Sequence, residues 1–184
     1  MKKSKHIPFN KTTYLGKENN YLSEAIKNEN LAGDGLFTKK CHDWFEKKIG
    51  CEKALLTTSC THAMEIAAIL MDLKPNDEII MPSFTFVSTA NAFVLRGAKV
   101  VFVDIDPNTM NLDENKVYDA INPRTKAIVP IDYAGYSCNI DEINRIAKDN
   151  KLFVMFYIAQ SFISQYKNKY FCSLSPLAAY SFHA

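Results

Sequence analysis

Residues 77–106, DEIIMPSFTFVSTANAFVLRGAKVVFVDID, constrain the fold more than any other stretch, because two short apolar runs flank a helical pattern. The runs at 78–81 and 99–103 have the length and β-branched content of strands buried on both faces. Between them, residues 85–95 space Phe86, Ala90, Phe93 and Val94 at helical intervals, and Arg96-Gly97 supplies a basic last turn and a C-cap. The pattern is a βαβ unit, so its strands run parallel and its crossover is right-handed. Ligands of such sheets bind beyond the carboxyl ends of the strands. Pro82-Ser83-Phe84-Thr85 stands at such an end, with an aromatic ring and two hydroxyls beside a helix N-terminus.

The rest of the chain continues the alternation. Residues 1–16, bracketed by Pro8 and Gly16, read as an extended arm, and 17–28 as a helix with Tyr21, Leu22, Ala25 and Ile26 on one face. Gly33-Asp34-Gly35 sets two glycines around an acid, as a loop near a ligand or a plain turn would. Thr38 is placed to N-cap a helix running to Ile49, with Trp44, Phe45 and Ile49 inward and Gly50 closing it. Residues 54–56 read as a short strand, and the hydroxyl-rich run 57–61 leads into a helix over 63–71. Such a turn offers free N–H groups and the positive end of a helix dipole to a phosphate, and serves equally as a plain N-cap.

Downstream, the pattern predicts a helix over 113–120, a strand over 127–131 ending in Asp132-Tyr133-Ala134-Gly135, and an amphipathic helix over 141–148. A fifth strand over 152–156 ends near Ala159-Gln160, residues 166–169 make an exposed turn, and 177–182 make one more strand. The fold class is therefore α/β, a mostly parallel sheet flanked by helices on both sides.

Composition excludes several function classes. With 47% hydrophobic and 23% charged residues, a net charge of +2 and scattered lysines, the chain has no basic stripe for nucleic acid. Five cysteines without a C-x-x-C pair and four isolated histidines suggest neither a disulfide framework nor a metal site. No apolar run approaches the roughly 18 residues of a membrane span, and the charged N-terminus precedes no apolar signal segment, so a cytoplasmic protein with reduced thiols is expected.

Taken together, the residues resemble the DegT/DnrJ/EryC1/StrS family of sugar-nucleotide aminotransferases. The likeness runs from Ile7-Pro8-Phe9-Asn10 through Gly33-Asp34-Gly35, Thr58-Ser59-Cys60-Thr61 and MPSFTFVSTANAFVLRGAKVVFVD to 127–135. Within the family it is most similar to the branch that makes dTDP-4-amino-4,6-dideoxygalactose from dTDP-4-keto-6-deoxyglucose for enterobacterial common antigen. The resemblance implies pyridoxal phosphate as cofactor, the aspartate-aminotransferase-like fold (fold type I), and glutamate and a dTDP-sugar as partners. It also implies a homodimer, with residues 1–184 forming only the N-terminal part of the large, cofactor-binding domain. The remainder, including the small domain, would come from elsewhere, such as a complementing C-terminal fragment.

By the same resemblance, the backbone at Thr61 and His62 holds the phosphate, Phe84 stacks on the cofactor ring, Gln160 lies near its ring oxygen, and the Ser181 hydroxyl binds the phosphate. Two departures bear on activity. The family's fifth strand ends in an acid that pairs with the ring nitrogen, and Tyr157 stands in its place. The family's cofactor-bearing lysine follows the Ser-Phe-His stretch, beyond Ala184, and Lys167 and Lys169 sit in a turn. No catalytic residue is therefore assigned, and this chain alone is expected not to transaminate. The alternative is a non-catalytic relic or a binding or dimerisation fragment. Either way, an incomplete sheet would leave apolar surface uncovered and make the chain dependent on a partner.

Overall fold

The computed structural model describes Pro8 and residues 11–183. Most of the expected arm over 1–16, and with it Ile7, Phe9 and Asn10 of the resemblance, lies outside the described residues. The strands are β1 (Glu78–Pro82), β2 (Lys99–Val103), β3 (Thr125–Ile128), β4 (Phe153–Tyr157), a hairpin of β5 (Gln165–Tyr166) and β6 (Lys169–Tyr170), and β7 (Leu177–Ala179). The helices are α1 (Glu18–Lys27), α2 (Leu36–Trp44), α3 (Cys60–Leu70), α4 (Val87–Val94), α5 (Glu114–Ala120) and α6 (Ile140–Asn150). One parallel sheet of five strands runs in the order β2-β1-β3-β4-β7.

Period-two alternation divides the apolar strands between two cores. Ile80, Ile128, Val154 and Phe156 pack with Val117 of α5 and with Ile143 and Ile146 of α6. Ile79, Met81, Ala127 and Met155 face the other way, onto Met64 and Ala67 of α3 and Ala92 and Phe93 of α4. Helices thus cover both faces, as the near-continuous apolar strands require. Beyond β3 the ladder continues irregularly: Val129 N–H donates to Ile80 C=O at 2.8 Å, Pro130 brings no donor, and Ile131 bridges to Tyr157.

Several sequence expectations need correction. Residues 54–56 form no strand, because side chains of the preceding helical segment take up the backbone donors. Ala54 N–H donates to Glu46 Oε1 at 3.3 Å and Leu56 N–H to His42 Nε2 at 2.9 Å. The helix expected from Thr38 starts at Leu36, with extended Gly35 at its N-cap. It ends in a π-helical turn, Phe45–Ile49, closed by Gly50 at φ +82°. Phe45 and Ile49 are buried as expected, but Trp44 is half exposed, stacked on Phe162 with ring centroids 5.9 Å apart.

In the βαβ unit the turn after β1, where Thr85 N–H donates to Ser83 C=O, delays the helix to Val87. Its buried side becomes Thr89, Ala92 and Phe93, and Phe86 and Val94 stay exposed. The apolar stripe of α1 finds no core either: Tyr21, Leu22 and Ile26 are all exposed. With Ile69, Leu70, Leu95 and the edge-strand Phe102, they leave large apolar side chains on the surface that neither core covers.

Gly97 links α4 to β2 at φ +81°, and its carbonyl accepts from Asn76 N–H at 2.9 Å. A Cβ there would stand 3.2 Å from Pro75 Cα. Gly97→Ala therefore adds left-handed strain to a close backbone contact and is expected to cost about 2 kcal/mol, read as a lower urea midpoint with unchanged slope. An unchanged midpoint would contradict this account of the turn.

Candidate functional site

The strand order reverses at β1: the chain moves outward to β2, then returns to β3 on β1's other side. At such a switch point the loops leaving adjacent strands diverge and open a crevice. A cavity of about 340 Å³ lies there, lined by Ser83–Phe86 after β1, Ile131–Tyr133 after β3, and Tyr157, Ala159 and Gln160 at the end of β4. Neither lysine, arginine nor histidine is among the lining residues.

Of the residues singled out by sequence, the structure brings Phe84 and Gln160 together here. The Phe84 ring packs at 4.7 Å against Tyr133, tilted by 53°. Gln160 Oε1 accepts from Ala134 N–H at 2.8 Å, which leaves its NH2 group free to donate. Tyr133 was not singled out by sequence. It is held by Asn111, fully buried, whose Oδ1 accepts from Tyr133 N–H at 3.1 Å while its Nδ2 donates to Tyr136 C=O at 3.0 Å.

Thr61 and His62 lie in the first turn of α3, outside the lining. Ser59 caps that helix, its Oγ accepting from His62 N–H at 3.1 Å, and the His62 ring meets the Thr58 hydroxyl. His62 N–H is therefore spent on the cap. Thr61 N–H bonds to no other described residue and keeps the free donor of a helix start. This turn touches the cavity wall through Cys60, whose thiol neighbours the Tyr157 hydroxyl. Ser181 follows β7 and is not in the lining; its Oγ accepts from His183 N–H.

Asp132 is the one acidic lining residue. Only 1% exposed, with both carboxylate oxygens unbonded among the described residues, it holds its proton up to about pH 8 because burial penalises the charge, a shift opposed by the Cys138 backbone N–H. Among the described residues no cluster of three His, Cys, Asp or Glu side chains forms a metal site.

The aminotransferase family DegT/DnrJ/EryC1/StrS matches residues 14–184. The chain belongs to this family. UDP-2-acetamido-2-deoxy-3-oxo-D-glucuronate aminotransferase of Pseudomonas aeruginosa is 42% identical over 134 residues, which make up 73% of this chain and 37% of that protein. Among solved structures, DesI in the presence of its TDP-sugar product superposes with a TM-score of 0.81 at 28% identity, over 90% of this chain and 42% of that one. A Bacillus subtilis protein with bound cofactor pyridoxamine phosphate superposes at 0.78 and 26% identity, over 87% of this chain and 36% of that one. This DegT/DnrJ/EryC1/StrS chain thus spans less than half the length of these relatives, and its parallel sheet is part of an aminotransferase fold.

The buried carboxyl of Asp132 gives a pH test. The unfolded group ionises near 3.8 and the folded one near 8, so between those values the folded state binds more protons and stability falls as pH rises. Asp132→Asn removes that dependence. Its midpoint in urea is expected to gain on the parent chain between pH 5 and 8.5, and a constant difference across that range would contradict the shift.

Proposed function

We propose that residues 1–184 are the first part of the cofactor-binding domain of a pyridoxal-phosphate-dependent aminotransferase that aminates a nucleotide-linked sugar. The carrying observation is the neutral, aromatic-walled cavity at the β1/β3 switch point, adjoining the open N-terminus of α3. The residues present fit the cofactor: a flat ring meets Phe84 and Tyr133, and a phosphate meets the Thr61 N–H and the positive end of α3. The Ser181 hydroxyl, which accepts from His183 N–H and keeps its own proton to donate, is assigned to the same phosphate, and the free amide of Gln160 to the ring oxygen; His62 N–H is engaged by Ser59, so His62 supports the phosphate by shaping the turn. When bound, the cofactor supplies a carbonyl that carries the amino group and a ring that draws off electrons.

The proposed reaction moves an amino group from glutamate to the 4-keto carbon of dTDP-4-keto-6-deoxyglucose, in the biosynthesis of enterobacterial common antigen or a related polysaccharide. The run PSFTFVSTANA and the segment VPIDYAG support that branch, and free cysteines throughout suit the cytoplasm, where such sugars are made. No helix among the described residues is long and apolar enough to cross a membrane. The proton-shuttling amine must come from outside the cavity lining, since Lys167 is paired to Asp141 in the exposed β5–β6 turn and Lys169 lies in the same hairpin. A homodimer, or a complementing chain with the rest of the domain, would bring it and cover the bare apolar residues Ile69, Leu70, Val94 and Leu95.

Tyr157 favours a second reading, a fragment that binds a partner or ligand without chemistry, because a phenol has replaced the acid. Titration with pyridoxal phosphate followed by borohydride separates the two. Reversible binding without a trapped lysine adduct is expected, and Phe84→Ala is expected to weaken that binding about 3- to 10-fold. No binding at all would leave the non-catalytic reading, and an adduct on Lys167 or Lys169 would place the amine within this chain.

A further inference from the structure

Resting on the reading of the cavity as a pyridoxal-phosphate site, we propose that the Tyr157 hydroxyl donates a hydrogen bond to the cofactor's ring nitrogen, so that this site holds the ring unprotonated. Tyr157 is the last residue of β4 and lines the cavity beside Ala159 and Gln160; the residue is 9% exposed and packs on the α3–α4 side of the sheet. Its hydroxyl reaches Cys60 in the first turn of α3, and so lies at the junction of the cavity and the phosphate-binding turn. A phenol carries one donor and two acceptor positions, so the neutral Cys60 thiol can donate to its oxygen while its single O–H is directed to a ligand.

Charge decides the protonation state. A pyridinium buried without a counter-ion loses its hydration and gains nothing, which favours the neutral base. This lining supplies no fixed anion: burial raises the Tyr157 phenol above its ordinary value and raises the neighbouring Cys60 thiol to about 11, so both stay neutral. Asp132 also lines the cavity, but its carboxyl is protonated below about pH 8 and turned toward the other core. Its carboxyl neighbours the backbone of Cys138, which packs with α5 and α6, whereas Tyr157 packs with α3 and α4. A neutral donor is what an unprotonated ring nitrogen accepts from, and a full negative charge is what a protonated one needs.

Pyridoxamine phosphate labelled isotopically at the ring nitrogen reads this directly through the nitrogen chemical shift of the bound ring. In the unaltered chain at neutral pH the bound nitrogen is expected to be unprotonated, and in Tyr157→Asp protonated at the same pH. Tyr157→Phe keeps the ring and its packing, so it is expected to raise the dissociation constant about 2- to 10-fold while the nitrogen stays unprotonated. A protonated nitrogen in the unaltered chain overturns the inference, and its reversal in Asp132→Asn would assign the counter-ion to Asp132. Binding by Tyr157→Phe as tight as the parent's overturns the hydrogen bond. No binding by the unaltered chain overturns the cofactor reading itself and this inference with it.

Discussion

Parallel pairing of β1 with both β2 and β3 is the constraint on which the rest of this structure depends. Parallel strands need crossovers, crossovers put helices on the faces, and the covered faces demand strands that are apolar on both sides. Because the chain leaves β1 in one direction and returns on the other side, the loops after β1 and β3 diverge. The cavity with Phe84 and Tyr133 occupies that divergence. Its position follows from strand order before any side chain is considered, and the side chains then set its chemistry.

That chemistry is unusual in its neutrality. The lining holds two aromatic walls, an amide fixed by Ala134, a phenol, and a carboxyl kept protonated by burial. The positive ends of the α4 dipole, whose N-cap Phe86 lines the cavity, and of the α3 dipole, just outside, are the polar features with a sign. A flat molecule with one anionic group at one end is the ligand proposed for such a site. The same neutrality makes the identity of residue 157 decisive, because no other described lining group carries the fixed charge that a ring cation needs.

Much of this was legible in the sequence. Two apolar runs around a helical period, with Gly97 to turn the chain, determine a βαβ unit almost unaided, and family resemblance brought Phe84 and Gln160 to one cavity. Local reading failed where distant partners decide. Leu55 and Leu56 have strand character, but Glu46 and His42 satisfy the backbone there and no neighbouring strand is available. The amphipathic stripe of α1 correctly signals a helix and says nothing of what covers it. Asn111 looks like an ordinary turn residue, since its role appears only when the turn after β3, more than twenty residues on, folds back over it. The bonds that His62 N–H makes to Ser59 and Ser181 Oγ makes to His183 N–H are likewise set by the local turn and not readable from position in the sequence.

The central claim is that the switch-point cavity and the start of α3 form one cofactor site, and mapping backbone amide shifts of the isotopically labelled chain during titration with pyridoxamine phosphate tests it most directly. The account predicts that the largest shifts fall on 58–62, 84–86, 133–134 and 160, moving together with a single dissociation constant. Shifts confined to the separate hollow between α1 and α2, around Leu31 and Phe37, or two groups of residues titrating independently, would contradict it.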